Sequence, residues 1–326
     1  MRPFNHINAN SLDTASELVK SGGAVAIAGG GDLLPALKDN IFPEYPKIVV
    51  NLKSIPGLDY ITLDGDTLKI GALATLADIA RSPLVQANAP ILARAAGSAS
   101  SPSLRETTTI GGNVCQLPRC WYFRKLNNRF DCSRKGGGQC FAIMGDNRYH
   151  SVFGGAGFNT DAGEKRTCIA VNQSELAPVL NVLTAKFVTT GRVIGNLDFF
   201  GVGVLTTTVL NRGELLKEIQ IPLTDFAKNS RYKRFAFRKS IDFPVINLAI
   251  AVNSDRSQYH ICLGGVAPTP YIALKAEELL NGKTITPELA EAAGIAAAEG
   301  AKPFEANAYK VQLIKTLVKR ELLTMT

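Results

Sequence analysis

The sequence predicts an α+β protein with more than one lobe, and three observations carry that prediction. The chain has 326 residues, which exceeds one ordinary hydrophobic core, so two or three subdomains are expected. Hydrophobic residues make up 46% of it, enough to fill a large interior. Helical and strand-like patterns are mixed along the chain, and two glycine-rich segments follow β-prone residues, as loops leaving a strand would.

The first third of the chain is expected to alternate short helices and strands. Ser11 is the predicted cap of a helix that runs to about residue 21, and apolar residues 24–28 predict a strand. The turn Asp64-Gly65-Asp66, flanked on both sides by alternating apolar and polar residues, predicts a hairpin. Thr75 is the expected cap of a later helix. The other predicted elements of this part are helices over 32–39, 76–81 and 89–96 and a strand over 47–52.

The remaining elements suggest where the chain divides. Strands are predicted over 186–193 and 218–221, an antiparallel sheet over 235–237, 247–252 and 259–263, and helices over 274–280, 287–298 and 306–323. Pro222 and a polar stretch follow a strand, which places a boundary near 222–230. We therefore expect an N-terminal region, 1–225, with lobes of about 1–55 and 56–225, a cysteine-rich loop over 115–168, and a C-terminal domain, 226–326.

Composition excludes several classes of function. The net charge of +8 is modest for this length, and the basic residues are scattered apart from one local cluster, whereas nucleic-acid binding calls for a concentrated basic face. No apolar run approaches the roughly 18 residues of a membrane span. The opening residues contain no apolar signal-peptide core, so a cytoplasmic protein is expected, periplasmic only if co-exported with a partner that carries a signal.

Two glycine-rich segments are the strongest local signal. The first is Ala28-Gly29-Gly30-Gly31-Asp32-Leu33 and the second is Thr109-Ile110-Gly111-Gly112-Asn113. Consecutive glycines permit positive φ and leave out side chains, so backbone N–H groups can converge on an anion. Neither segment has the G-x-G-x-x-G spacing of a Rossmann site.

The segments resemble the flavin loops A-G-G-x-[DS]-L and T-I-G-G-N of the flavoprotein subunits of the molybdenum hydroxylases, the family of xanthine dehydrogenase and of the medium subunit of carbon monoxide dehydrogenase. Further matches lie at 174–178, 232–242 and 263–270, in the family's order. The resemblance covers nearly the whole chain. It implies a two-lobed FAD-binding region of the PCMH (vanillyl-alcohol oxidase-like) type, followed by a smaller α/β C-terminal domain.

The resemblance also implies how FAD is held. The two segments would wrap its pyrophosphate with backbone amides, and the helix over 32–39 would point its positive end toward the phosphates. Glu175 stands where relatives usually carry Asp, and Arg234 where they often carry Lys. A solvated surface pair is the competing interpretation of these two residues. The implied FAD-binding residues are Ala28, Gly29, Gly30, Gly31, Asp32, Leu33, Thr109, Ile110, Gly111, Gly112, Asn113, Glu175 and Arg234.

Five of the six cysteines fall between the second glycine-rich segment and residue 174: Cys115, Cys120, Cys132, Cys140 and Cys168. Three explanations compete. Disulfides require an oxidising compartment, and structural zinc usually uses closely spaced pairs, of which only the first two cysteines form one. An iron–sulfur cluster also takes four thiolates, which can come from a long loop.

The arrangement of these cysteines resembles two subtypes of the family, the flavoprotein subunits of 4-hydroxybenzoyl-CoA reductase and of bacterial periplasmic aldehyde oxidoreductase. Both carry an additional [4Fe-4S] cluster on such a loop. The resemblance implies Cys120, Cys132, Cys140 and Cys168 as its ligands, with Cys115 as the rival for the fourth position. The cations of the loop would form a solvated face, offset the charge of the cluster, or dock an acidic carrier.

The sequence contains no nucleophile–base constellation, which fits an oxidoreductase subunit whose cofactors carry the chemistry. The resemblance implies a large molybdenum-cofactor subunit that holds the substrate site, and a small subunit with two [2Fe-2S] clusters, joined in a heterotrimer or its dimer. A ferredoxin-like protein would be the external electron carrier.

Two alternatives remain: a stand-alone flavin oxidoreductase with a structural zinc loop, and an assembly or binding protein that keeps the fold without redox work.

Overall fold

The computed structural model describes residues 1–160, 162–238 and 241–325. Its strands, in chain order, are β1 (Asn5–Asn8), β2 (Ala24–Ile27), β3 (Ile48–Asn51), β4 (Ile61–Asp64), β5 (Thr67–Gly71), β6 (Ala156–Asn159), β7 (Lys165–Cys168), β8 (Lys186–Thr189), β9 (Val193–Gly195), β10 (Phe200–Gly203), β11 (Thr206–Thr208), β12 (Leu216–Pro222), β13 (Ser230–Phe235), β14 (Ile246–Val252), β15 (Tyr259–Gly264) and β16 (Tyr271–Ile272).

Its α-helices, also in chain order, are α1 (Leu12–Lys20), α2 (Leu33–Lys38), α3 (Leu76–Arg81), α4 (Pro83–Asn88), α5 (Pro90–Ser98), α6 (Pro102–Arg105), α7 (Ile110–Val114), α8 (Phe141–Met144), α9 (Leu176–Val182), α10 (Asp225–Lys228), α11 (Leu274–Leu280), α12 (Pro287–Ala297) and α13 (Tyr309–Leu323). Short 3₁₀ helices span Leu126–Asn128, Ser133–Lys135 and Glu305–Asn307.

The N-terminal lobe is a small parallel sheet in the order β1–β3–β2, with α1 packed against it. The prediction that Ser11 caps the first helix is confirmed, because its Oγ accepts a hydrogen bond from the Thr14 amide at 3.1 Å. Strand β1 was not predicted, since Asn-His-Ile-Asn carries too few apolar residues to show a strand period. Its parallel pairing with β3 holds it in place.

The second lobe is built on an antiparallel sheet in the order β4–β5–β12–β8–β9, covered by α5 and α9. The predicted hairpin at 64–66 is confirmed by the pairing of β4 with β5. The single strand predicted over 186–193 is wrong, because β8 and β9 form a hairpin there. The Thr189 hydroxyl accepts hydrogen bonds from the Gly191 and Arg192 amides and so closes a tight turn.

The helix predicted over 89–96 is present as α5, but the helix before it, α4, was not predicted. The two helices meet at Ala89, whose φ of −143° is not helical. Pro83 and Pro90 each begin one of them. Proline lacks the amide hydrogen that an inner helical position needs, but suits the first position, so each proline starts a new helix.

The C-terminal domain is an antiparallel sheet in the order β13–β14–β15–β16, and α11, α12 and α13 pack with its strands in one core. The predicted antiparallel arrangement is confirmed. The strand predicted over 235–237 is misplaced, since β13 ends at Phe235 and the Phe237 side chain is 65% exposed. Helix α10 contacts both α5 and β14, so the division expected at 225–226 stays a prediction.

The cysteine-rich loop over 115–168, called the cysteine loop below, folds onto the N-terminal lobe. Phe123 and Cys132 form a small buried core with Ala36 and Ile41, from α2 and the residues just after it. Farther along, β6 and β7 form a hairpin, with Phe158 and Arg166 opposite each other in its register. The loop is therefore packed against the segment that carries the first glycine-rich motif.

Candidate functional site

A cavity of about 1470 Å³ lies between the N-terminal lobe and the rest of the molecule, and is called the interlobe cavity below. Both glycine-rich segments line it, as does the beginning of the cysteine loop. Of the residues implied for FAD, the following line this cavity: Ala28, Gly29, Gly30, Gly31, Asp32, Leu33, Thr109, Gly112, Asn113 and Glu175. The structure thus brings together two segments that lie about eighty residues apart in the sequence.

The first glycine-rich segment connects β2 to α2 and is pressed against the second segment. A Cβ atom on Gly29 would lie 1.8 Å from the carbonyl oxygen of Thr107, so only glycine fits there. Gly30 has a φ of +74°, a conformation that other residues rarely adopt. These two glycines are therefore required by the way the backbone folds at the cavity wall.

The second segment forms the short helix α7, which was not predicted. The Thr109 side chain caps it, accepting a hydrogen bond from the Gly112 amide at 3.1 Å. Ile110 is buried in the core of the second lobe, and a Cβ on Gly111 would lie 2.8 Å from the Ala72 carbonyl oxygen. Ile110 and Gly111 thus support the cavity wall from behind, and Gly112 and Asn113 line it.

Three buried polar side chains, those of Asn113 in α7, Ser174 and Glu175, are linked by hydrogen bonds at the cavity wall. The Ser174 hydroxyl donates to Asn113 Oδ1, and Asn113 Nδ2 donates to Glu175 Oε2 at 3.5 Å. Burial raises the pKa of the Glu175 carboxyl, and the charges of Arg234 and Arg119 oppose that rise. The competing interpretation, a solvated surface pair of Glu175 and Arg234, is therefore wrong for Glu175, which is only 3% exposed.

Arg234 lies close enough to Glu175 to influence its charge but does not line the interlobe cavity. Its Nη2 donates to the carbonyl oxygen of Asp242, and its buried Nε has no hydrogen-bond partner in the described part of the chain. Arg234 is therefore placed to stabilise the Glu175 carboxylate. Its predicted contact with FAD stays a prediction.

Asp32 joins the first glycine-rich segment to the cysteine loop. It precedes α2 but makes no side-chain cap there. Its carboxylate instead accepts from the Leu117 amide at 3.0 Å and pairs with the guanidinium groups of Arg119 at 2.8 Å and Arg124 at 2.6 Å. The sequence shows no sign of this connection, because the partners are more than eighty residues apart.

Four cysteines of the cysteine loop converge beside this network. Cys140 and Cys168 are hydrogen-bonded to each other, and Cys120 lies within electrostatic range of both Cys132 and Cys140. The hydrogen bond with Cys168 lowers the pKa of the Cys140 thiol, whereas burial raises the pKa values of Cys120 and Cys132. These are the four residues that the family resemblance implied as cluster ligands.

The other two cysteines lie elsewhere. Cys115 lines the interlobe cavity, and burial alone raises its pKa to about 12. Cys262 lies in β15, within the core of the protein. Between residues 1 and 325, leaving aside 161, 239 and 240, no three His, Cys, Asp or Glu side chains form a group suited to a single metal ion.

Two buried cations face the four cysteines. Arg134 is 2% exposed and Lys135 4% exposed, and neither forms a salt bridge with a carboxylate of the described residues. Arg134 contacts Cys168 and donates to the Thr206 carbonyl, and Lys135 donates to Asn128 Oδ1 at 2.7 Å. Burial lowers both pKa values, while the nearby cysteines pull them upward. The expectation of a wholly solvated basic face is wrong for this pair.

His150 is a functional candidate that the sequence did not reveal. Its Nε2 lies 3.2 Å from Cys120 Sγ. Its Nδ1 is buried and lacks a hydrogen-bond partner among the residues described. Burial, followed by the charge of Lys310, lowers its pKa to about 4, so the ring is neutral at neutral pH. A neutral ring with Nε2 protonated donates to the Cys120 sulfur.

Comparison with known proteins places the chain in a family. Residues 2–224 match the family model for the FAD-binding domain in molybdopterin dehydrogenase, and residues 230–325 match that for the C-terminal domain of the CO dehydrogenase flavoprotein. The chain is 30% identical over 291 residues to the FAD-binding subunit of an aldehyde oxidoreductase of Escherichia coli strain K12, covering 86% of this chain and 87% of that one.

Two further proteins are similar to this chain. The chain is 28% identical to the carbon monoxide dehydrogenase medium chain of Hydrogenophaga pseudoflava, covering 92% of this chain and 88% of that one. A solved carbon monoxide dehydrogenase structure from that organism superposes with a TM-score of 0.74 at 26% identity, over 98% of this chain and 96% of that one. Quinoline 2-oxidoreductase from Pseudomonas putida 86 shares the fold, with a TM-score of 0.75 at 21% identity over 99% and 97%.

In the described part of the chain, no helix is both long enough and apolar enough to cross a membrane. The two matched domains, with β12 ending one and β13 beginning the other, account for nearly all of the chain. The predicted fold, an FAD-binding region followed by a C-terminal flavoprotein domain, is confirmed. The chain belongs to the FAD-binding subunits of the molybdenum hydroxylase family of oxidoreductases.

Proposed function

We propose that this chain is the electron-transfer flavoprotein subunit of a heterotrimeric molybdenum-containing hydroxylase or reductase. FAD occupies the interlobe cavity, and an additional [4Fe-4S] cluster is held by Cys120, Cys132, Cys140 and Cys168. One observation carries the cluster: four thiols converge beside two buried cations that form no salt bridge with a described carboxylate.

The cavity fits FAD in size and in lining. Its 1470 Å³ accommodates a dinucleotide, and Gly29 lets the two glycine-rich segments approach closely along one wall. The backbone amides of 29–31 would hold the pyrophosphate, Gly112 lines the wall without a side chain, and Asn113 and Glu175 offer polar groups to the remainder. Ile110 and Gly111 support this wall from behind, and the charge of Arg234 stabilises the Glu175 carboxylate. When bound, FAD supplies both one-electron and two-electron redox chemistry.

The cysteine loop fits an anionic cluster. Burying a cation without a counter-charge is unfavourable, because the group loses its hydration. Arg134 and Lys135 are buried against cysteines, and a protonated thiol carries no charge that could balance them. Four thiolates around iron and sulfide would give both cations a negative partner. Cys115 faces the interlobe cavity and is kept as a buried thiol, not as a ligand.

The partners follow from the proteins that this chain resembles. Relatives are described as an FAD-binding subunit and as a medium chain of oxidoreductases. We assign the substrate site to a large molybdenum-cofactor subunit, and the next redox centres to a small subunit with two [2Fe-2S] clusters, in a heterotrimer or its dimer. A ferredoxin-like protein would be the external carrier. The complex is placed in the cytoplasm, or in the periplasm if a partner carries an export signal.

Purification of the chain under anaerobic conditions tests the proposal. We expect FAD, about four iron and four acid-labile sulfide per chain, and a low-temperature spin-resonance signal after reduction. Zinc without sulfide would instead support the alternative of a stand-alone flavin oxidoreductase with a zinc loop. Co-expression with its partners should yield a complex, and substrate turnover by the isolated chain without molybdenum would contradict the assigned role.

A further inference from the structure

The cysteine loop contributes a cationic side chain to the interlobe cavity, and neither glycine-rich motif contains a cation. Cys115, Gln116, Leu117 and Arg119 line the cavity, and the next residue, Cys120, lies among the other cysteines. Two consecutive residues therefore face different sites: Arg119 faces the interlobe cavity, and Cys120 faces the other cysteines.

Arg119 is held in place on three sides. Its guanidinium pairs with Asp32 Oδ1 at 2.8 Å, its Nε donates to Gln116 Oε1 at 3.3 Å, and its Cζ lies 4.8 Å from the centre of the Phe243 ring. Asp32, Gln116 and Phe243 all line the same cavity. The side chain is 20% exposed, so the cation is fixed at the wall but still open to the cavity. A cation that is positioned before a ligand arrives loses little entropy on binding it.

The charges around Arg119 leave one positive charge uncompensated. Asp32 is shared between Arg119 and Arg124, and Arg124 also donates to the carbonyl oxygens of Pro118 and Leu117. Glu175, which also lines the cavity, is influenced by both Arg234 and Arg119. Two guanidinium groups, those of Arg119 and Arg124, thus share the single carboxylate that pairs with them, which favours an anionic ligand beside Arg119.

The neighbours of Arg119 indicate which part of FAD it meets. Phe243, Ile241 and Leu205 give this wall an apolar surface suited to a flat ring. The glycines of the first segment, by contrast, line the cavity with bare backbone, which suits phosphate. Arg119 packs on Phe243 of this apolar surface and is joined through Asp32 to the first segment, so it lies where the two parts of the cavity meet.

We propose that Arg119 binds the isoalloxazine ring of FAD and stabilises the negative charge that the ring gains on reduction. The inference rests on the proposed FAD site and extends it to a residue of the cysteine loop. A fixed cation favours the reduced, more negative form over the oxidised form, so it raises the midpoint potential of the flavin. Asp32 acts as a positioning residue, because it holds Arg119 in this orientation.

The test compares Arg119→Gln, Arg119→Lys and the control Arg129→Gln in the FAD-loaded full chain. Arg129 is an exposed cation of the same loop that does not line the cavity. The neutral Arg119→Gln variant should weaken binding of reduced relative to oxidised flavin roughly tenfold, the loss of one charge-assisted hydrogen bond. For a two-electron couple this equals a midpoint potential about 30 mV more negative. Arg119→Lys should recover most of the shift, and Arg129→Gln should show none.

Spectroscopic titration of the flavin measures the potential, and binding of FAD and of ADP measures affinity. An unchanged potential in Arg119→Gln overturns the inference. So does an equal loss of FAD and ADP affinity without a shift in potential, which would assign Arg119 to the pyrophosphate. Iron content of the same samples tests the cluster separately, since the flavin titration can be interpreted whether or not iron is present. A wild-type chain without FAD would instead refute the proposed flavin function.

Discussion

In the interlobe cavity the residues that matter most are glycines, whereas in the cysteine loop they are thiols and buried cations. Gly29 is needed because a Cβ would lie 1.8 Å from a carbonyl oxygen of the facing segment. Cys140 and Cys168 are needed for their side chains, which meet each other, and Cys168 also meets the Arg134 guanidinium. One site thus depends on close approach of backbone, the other on side-chain chemistry.

This difference affects how each site tolerates substitution. A backbone site fails when any side chain is added, whatever its chemistry, because space and conformation are the requirement. A site that depends on side-chain chemistry fails when one reactive atom, such as a cysteine sulfur, is exchanged for another element, even if the side chain keeps nearly the same size. The two sites nevertheless meet at Asp32, which belongs to a glycine-rich segment and pairs with Arg119 and Arg124 of the cysteine loop.

The largest expected effect is at the four proposed cluster ligands. Replacing Cys120, Cys132, Cys140 or Cys168 by serine should abolish or damage the [4Fe-4S] cluster, because a serine oxygen is a poor substitute for a thiolate. Cys115→Ser is the matched control and should keep the full iron content. Iron analysis and spin resonance of each reduced variant measure the effect. Loss of the cluster in Cys115→Ser but not in Cys168→Ser would move the fourth ligand to the cavity wall.

The next effect tests the backbone site. Gly29→Ala places a Cβ against the Thr107 carbonyl and should lower the free energy of unfolding by about 1–3 kcal/mol and release FAD. Gly138→Ala is the control, since a Cβ there meets no atom within 4 Å and its φ is not positive. Chemical denaturation and flavin stoichiometry report the two outcomes. Equal FAD content in both variants would show that the segments tolerate a wider separation.

A buried lysine tests how firmly the end of the cysteine loop is anchored. Lys310 of α13 donates to the carbonyl oxygens of Tyr149, His150 and Gly265 at 2.8, 3.0 and 2.7 Å. Lys310→Met leaves these acceptors unpaired and should lower the free energy of unfolding by about 2–5 kcal/mol. The same change at Lys319, a surface residue of that helix paired with Glu291, should remove less than about 1 kcal/mol.

Thermal unfolding with iron and FAD measurements separates the consequences of Lys310→Met. We expect the cluster to be lost at a lower temperature than the flavin, because the anchored segment includes His150, beside Cys120. Simultaneous loss of both cofactors would mean that the two sites unfold as one unit. That result would weaken the distinction between them.

The smallest expected effect is at His150. His150→Gln should retain iron but shift the midpoint potential of the cluster downward, because the ring N–H stabilises negative charge on the Cys120 sulfur. His6→Gln, an exposed histidine of β1, serves as the control. A spectroscopic redox titration of both variants checks this. An unchanged potential in His150→Gln would limit the histidine to a packing role.

Local sequence patterns predicted much of the fold, and the incorrect predictions of helices and strands have physical causes. The caps at Ser11 and Thr75 were predicted because the capping hydroxyl and the amide it accepts from lie within one turn. The strand β1 and the helix α7 were missed, since each is short and held by pairing or packing with distant residues. The hairpin at Thr189 was merged into one strand because its turn has no Asn-Gly or Asp-Gly signal.

The sequence by itself determined the family and the glycine-rich segments and predicted which four cysteines bind a cluster, because these depend on residue type and order along the chain. Only the tertiary structure decided that Asp32 joins the two sites, that Arg119 faces the interlobe cavity and that His150 meets Cys120. Such contacts link residues that are 30 or more positions apart. They arise from the packing of whole lobes, and no local pattern encodes which distant side chains will meet.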